Sequence, residues 1–275
     1  MAIAYISHND CRLHEMGHHH PEQPARLSAI SDRLIAAGLD MVLRHYDAPL
    51  VTRDLLEAAH DASYIDQIFA AAPSEGLVWL DGDTAMNKHS LTAALRAAGA
   101  VVLGVDLVME GKAKHVFCGV RPPGHHAEHH RAMGFCFFNN IAVGAYHAIN
   151  KYGIKRVAIV DFDVHHGNGT EDIVSGDERI LFCSTFQHPF YPHSGYDSRA
   201  ANVVNTPLAA GSDGEVFRKA VETHWLPRLE EFHPQLILVS AGFDAHQADD
   251  MAGLNLVDSD YAWVTRRLCE QADHS

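Results

Sequence analysis

The sequence contains no C-x-x-C pair, and its five cysteines (Cys11, Cys118, Cys136, Cys183 and Cys269) are odd in number and scattered. That argues against a cysteine zinc knuckle or a disulfide framework and fits a reducing, cytoplasmic setting. Basic residues are also scarce: 21 Lys and Arg against 35 Asp and Glu leave a formal net charge of −14. Such a chain lacks the clustered cations that a nucleic-acid backbone requires, and its summed field favours cationic ligands. No basic segment and long apolar region precede the strand-like run Ala2-Ile3-Ala4-Tyr5-Ile6, so no signal peptide is expected. No run reads as long enough to cross a membrane. Repeats, low-complexity tracts and linkers are missing too, so 275 residues, 47% of them hydrophobic, read as one domain over 1–275.

Histidine is what the sequence has in excess, 22 in all, many beside Asp, Gly or another His. Lone histidines such as His45, His60, His115 and His233 are expected to be ordinary surface or satisfied core side chains. Apolar, β-branched runs at 116–120, 156–163, 180–185 and 236–244 predict buried parallel strands. Helical spacing over 88–110, 139–151, 213–232 and 258–272 alternates with them, which predicts an α/β fold. Ligands of open parallel sheets bind beyond the carboxyl ends of the strands, where this sequence puts its unusual residues.

The run Asp161-Phe162-Asp163-Val164-His165-His166-Gly167-Asn168-Gly169 follows one of these apolar runs. Strand alternation would aim Asp161, Asp163 and His165 the same way, and a cation would relieve the cost of burying them together. A second run, Ala241-Gly242-Phe243-Asp244, also ends on an acid. Asp163, His165 and Asp244 then make three ligands with one position left open, the pattern of catalytic rather than structural zinc. In Arg121-Pro122-Pro123-Gly124-His125-His126 the prolines preset a turn, and the paired imidazoles suit proton transfer near neutral pH. Phe135, after Gly134, and Tyr191, between two prolines of a loop, could wall a narrow apolar slot for an alkyl chain. The run His18-His19-His20 reads as an entrance loop leading to a helix near Ala25, since three consecutive histidines cannot easily share one ion.

These separated motifs, together with His20-Pro21-Glu22 and Arg26, resemble the histone deacetylase and acetylpolyamine amidohydrolase family, in a bacterial-type member. That family shares its fold with arginases. The resemblance implies a single α/β domain with a central, mainly parallel sheet of about eight strands and helices on both faces. It implies zinc on Asp163, His165 and Asp244, and His126 as general base and acid. His125 would be the supporting histidine, oriented by Asp161, and Asn168 stands where some relatives carry an acid opposite His126. It further implies a structural potassium ion on Asp161, Asp163, His165, Ser184 and Thr185, largely through main-chain carbonyls. Gly134, Phe135 and Tyr191 match tunnel walls, Arg26 an arginine near the acetate exit, and Asp83 an acid that grips substrate at the rim. Met251 takes an apolar rim position, with Asp249 and Asp250 beside it as candidate acidic gates.

The expected activity is hydrolysis of an acyl amide on a cationic amine, either acetyl-lysine in a protein or an acetylpolyamine. Neither nucleic acid nor membrane is an expected partner, and self-association is left open. One departure stands out: the family pattern continues into a Gly-Gly-Tyr whose hydroxyl stabilises the oxyanion, and no such triplet occurs in these 275 residues. Loss of one oxyanion donor costs about 10² to 10³ in turnover. The expectation is therefore a shortened chain, lacking also a final strand, with weak activity. Two other readings stand: a metal-binding module without catalysis, and an arginase-like hydrolase with two metals.

Overall fold

The computed structural model describes residues 3–273. The chain divides into two compact units, one ending at Tyr152 and one beginning at Gly153.

The first unit runs β1 (Ala4–Ser7), α1 (Ala25–Ala36), β2 (Arg44–Asp47), α2 (Arg53–Leu56), α3 (Ala62–Ala71), β3 (Val78–Trp79), β4 (Ala85–Met86), α4 (Ser90–Met109), β5 (Val116–Cys118) and α5 (Asn140–Tyr152). β1 lies between β2 and β5, parallel to both, and β3 and β4 form an antiparallel hairpin. Ala4 and Ile6 of β1 are fully buried against Ala100 and Leu107 of α4. By length and composition α4 could cross a membrane, which corrects the reading that no run is long enough. More than half of its apolar window is nevertheless buried inside the protein, and its Arg96 donates to the Asp10 carboxylate (2.9 Å) and the Ala48 carbonyl (2.7 Å).

The second unit runs β6 (Val157–Asp161), α6 (Asn168–Val174), β7 (Ile180–Gln187), β8 (Val203–Leu208), α7 (Gly214–Ala220), α8 (Leu226–Phe232), β9 (Leu236–Ser240) and α9 (Asp258–Asp273). Its four strands are parallel in the order β8-β7-β6-β9. Every residue of β6 and β7 is buried, as expected of strands covered on both faces. The core there joins Val160, Leu181 and Cys183 to Phe217, Trp225, Leu229, Val264 and Leu268. Each large apolar side chain so buried contributes about 1.5–3 kcal/mol.

The α/β class holds, and the described residues place seven parallel strands in a three-stranded and a four-stranded sheet instead of one sheet of about eight. Two further differences have local causes. The helix expected over 213–232 is split by a π-helical turn at Val221–Trp225, two residues before Pro227, which has no N–H to continue the helical ladder. β8 was not foreseen because Pro207 interrupts its pattern; the structure tolerates it because β8 is an edge strand, paired among the described residues only with β7.

Candidate metal centre and histidine loop

In the second unit β6 ends at Asp161, so Asp163 and His165 lie in the loop beyond it and not on the strand. What aims them is a chain of carboxylate-to-backbone bonds. The Asp163 N–H donates to Asp161 Oδ1 (3.1 Å), the His165 N–H to Asp163 Oδ1 (2.8 Å) and the Val164 N–H to Asp244 Oδ1 (2.9 Å). His165 Nδ1 stands 3.0 Å from both Asp163 Oδ1 and Asp244 Oδ2. A Cβ at Gly242 would overlap the Asp163 carboxylate, so the loop after β9 can approach this closely only with glycine there.

One ligand atom from each of Asp163, His165 and Asp244 lies within 4.8 Å of the other two, the one such metal-competent group among the described residues. Their side chains are 17%, 12% and 19% exposed. Burial, and then the Asp163 charge, raise the Asp244 carboxyl above its usual range. Burial pulls His165 down, but the two acids outweigh it and push the imidazole up to about 10. Two half-buried carboxylates this close repel unless a cation lies between them, and an O, N, O donor set suits zinc. The residues fit the ion. The His165 ring is stacked on Phe190 (5.3 Å between centroids) and edge-on to Tyr191 (5.9 Å).

Behind this cluster Asp161, Ser184 and Thr185 are buried, Asp161 in register with Ser184 across β6 and β7. Asn168 opens α6 and is buried as well. Sequence reasoning missed the neighbouring network. His166 Nε2 pairs with Glu171 Oε2 (2.6 Å), which also accepts from Asn205 Nδ2 (2.7 Å), and Asn205 reaches the Gly195 carbonyl (2.7 Å) on the loop that carries Tyr191. Glu171, five residues after His166, was the available signal. Met251 is half-buried, and its N–H donates to Asp249 Oδ1 (2.9 Å); Asp249 and Asp250 are exposed.

In the first unit the histidine loop is held from below by Arg121. Its guanidinium pairs with both oxygens of Glu22 and donates to the carbonyls of Cys11 (2.9 Å) and His14 (3.0 Å), all of it buried. His125 and His126 are buried with ring centroids 4.0 Å apart. The 134–140 loop nests against them: a Cβ at Gly134 would overlap the His126 imidazole, and Asn139 and Asn140 donate to the carbonyls of Ala127 (3.1 Å) and Pro122 (3.2 Å). His60 is the satisfied core histidine expected of it. Its Nδ1 donates to the Glu128 carbonyl (2.9 Å) and its Nε2 accepts from the Asn139 N–H (2.8 Å), while burial drives it down to about 4.

Gly134 (φ 55°) and Phe135 (φ 69°) form the corner of a tight turn closed by the Cys136 N–H on the Met133 carbonyl (3.0 Å). For a phenylalanine the left-handed region costs about 1–2 kcal/mol. The Phe135 N–H donates to Thr84 Oγ1 (2.9 Å), and the Thr84 hydroxyl donates to Asp83 Oδ1 (2.8 Å). His20 packs edge-on against Phe135 (4.6 Å) and its Nε2 bonds the Asp83 carbonyl (3.1 Å). Burial, then Asp81, raise the Asp83 carboxyl. Arg26 is largely exposed, its Nη1 3.7 Å from Glu22. His18 and His19 are exposed and belong to no metal-competent group among the described residues.

A sequence model of the histone deacetylase domain matches residues 20–275. The chain belongs to the histone deacetylase family, whose reaction class is hydrolysis of acyl amides. It is 40% identical to an uncharacterised protein of Synechocystis over 98% of this chain and 90% of that one. It is 34% identical to the histone deacetylase-like amidohydrolase of Pseudomonas aeruginosa, over 92% and 68%. The crystal structure of the HDA15 HD domain superposes with a TM-score of 0.94 at 32% identity, covering 99% of this chain and 80% of that one.

Proposed function

We propose that this chain is a cytoplasmic, zinc-dependent hydrolase that removes the acetyl group from a cationic amine, acetyl-lysine or an acetylpolyamine. The observation that carries this reading is the cluster of Asp163, His165 and Asp244, two acids and an imidazole gathered at the carboxyl end of a parallel sheet. Zinc, when bound, supplies a Lewis acid for the acyl carbonyl and makes water a stronger acid. The three side chains would hold the ion. His126 takes the proton of the attacking water and delivers it to the departing amine, with His125 as its electrostatic partner. Phe135 and Tyr191 flank the acyl chain, Asp83 grips the cationic end and Arg26 attends acetate release. Buried Asp161, Ser184 and Thr185 support the reading of a structural potassium ion.

Zinc content measured beside turnover of acetyl-lysine peptide, acetylputrescine and acetylspermidine at equal concentration tests the reading. One equivalent of zinc with acetate release from one of these amides supports it. Zinc binding with no hydrolysis of any acyl amine would instead favour a non-catalytic binding module. Two equivalents of manganese would favour the arginase-like reading.

A further inference from the structure

Thr84 is fully buried, carries no charge and belongs to none of the motifs that resemble the family, yet its hydroxyl joins the main chain of Phe135 to the side chain of Asp83. It accepts from the main-chain N–H of Phe135 and donates to the carboxylate of Asp83. Both bonds use the one hydroxyl, so its proton is committed to Asp83 and its lone pair to Phe135. The Phe135 end matters because the turn is one that phenylalanine adopts reluctantly: Gly134 and Phe135 both have positive φ, and Gly134 lies against the His126 ring. Asp83 is anchored on the same side by His20, whose ring also touches Phe135. Asp81 Oδ1 completes the arrangement by accepting the N–H groups of Asp83 (2.9 Å) and Thr84 (3.1 Å).

We propose that Thr84 is a positioning residue for substrate selectivity: its hydroxyl sets the Phe135 wall and the Asp83 carboxylate relative to each other, so that acyl-chain fit and amine-cation recognition are linked. The inference rests on the hydrolase reading above for the roles of Phe135 and Asp83. Thr84 itself, being buried, never touches substrate. Removing the hydroxyl leaves the strained Phe135 N–H without its acceptor and loosens the Asp83 carboxyl, which then keeps only its contacts to the Gly134 N–H and the Asp81 carboxyl. Both ends of the ligand are then held less well, and a longer acyl chain is no longer turned away by a fixed wall.

The test compares wild type with Thr84→Val, Thr84→Ala and Thr84→Ser. Equilibrium binding of acetylputrescine, butyrylputrescine and acetyl-lysine peptide is measured on the zinc-loaded protein by calorimetry, beside exchange of the Phe135 amide. The expected result is acetyl-ligand binding about five- to tenfold weaker in Thr84→Val, as for loss of a buried hydrogen bond, with discrimination against the butyryl ligand reduced. Phe135 amide protection falls in parallel, and Thr84→Ser restores all three. A purely structural role would lower thermal stability and leave the ratio of acetyl to butyryl affinity unchanged. A folded Thr84→Val with the wild-type ratio overturns the proposal, as does a Thr84→Ser that fails to rescue. If Thr84→Val does not fold, Thr84→Ala carries the same two outcomes. Binding without turnover in wild type would sink the hydrolase reading and still decide the role of Thr84; no binding of any acyl amine by wild type would overturn both.

Discussion

The two units solve the problem of buried polarity in opposite ways. In the first, three polar groups around the histidine loop are matched within the unit: Arg121 is neutralised by Glu22, His60 is held neutral between a carbonyl and an N–H, and the Phe135 turn is tied to Thr84. In the second, Asp163 and Asp244 crowd one imidazole with more negative charge than it can neutralise. The first arrangement is complete without a ligand; the second calls for a cation. A loop that transfers protons gains from fixed geometry, whereas a metal centre gains from an electrostatic deficit that only the ion removes.

The comparison breaks most sharply at the ligands. Asp244→Asn or His165→Ala should abolish turnover and weaken zinc binding by more than about 100-fold, beyond the range of changes around the ligands; competition with a chelator reads this directly. Wild-type zinc affinity in either variant would refute the assignment. Glu22→Ala should destabilise the protein by about 3–5 kcal/mol by leaving the Arg121 charge buried and unpaired, and the urea midpoint measures it. A loss below about 1 kcal/mol would mean that water reaches Arg121.

Zinc at 100 times its dissociation constant should add about 2.7 kcal/mol of stability, an increment that disappears in Asp244→Asn but persists in Glu22→Ala. Stability also depends on pH. Burial holds His14 at about 3 and His60 at about 4 in the folded protein, below the ordinary value near 6.5. Between these limits the unfolded chain binds protons that the folded chain refuses. Stability is therefore fully present above about 6.5 and is lost as pH falls toward the folded values, at about 1.4 kcal/mol per pH unit for each histidine. Urea unfolding at pH 7, 6 and 5 should show this slope, and His60→Gln should shrink it; equal slopes would remove His60 from the account.

Much of the site was legible because its chemistry is concentrated in short runs. Asp163-Val164-His165, His125-His126 and Asp244 are costly to bury without a purpose, and apolar runs in front of them mark strand ends. Pleat alternation does not aim these groups: β6 stops at Asp161, and the convergence of Asp163 and His165 comes from side-chain bonds to the backbone of the turn. Partners far apart in sequence stayed hidden. Glu22 and Arg121, Thr84 and Phe135, and Glu171 and Asn205 are 99, 51 and 34 residues apart, and nothing in a polar residue's own neighbourhood announces so distant a partner.

By itself the sequence determined the α/β class, the residue types of the candidate cluster and the acidic field, because these follow from residue chemistry and local periodicity. The tertiary structure decided how the groups are aimed. The distance of 3.0 Å from one imidazole to two acids, the glycine at 242 that permits it, and the threonine that holds a reluctant phenylalanine all depend on backbone segments brought together only by folding. Close packing lets such segments approach at one geometry and few others.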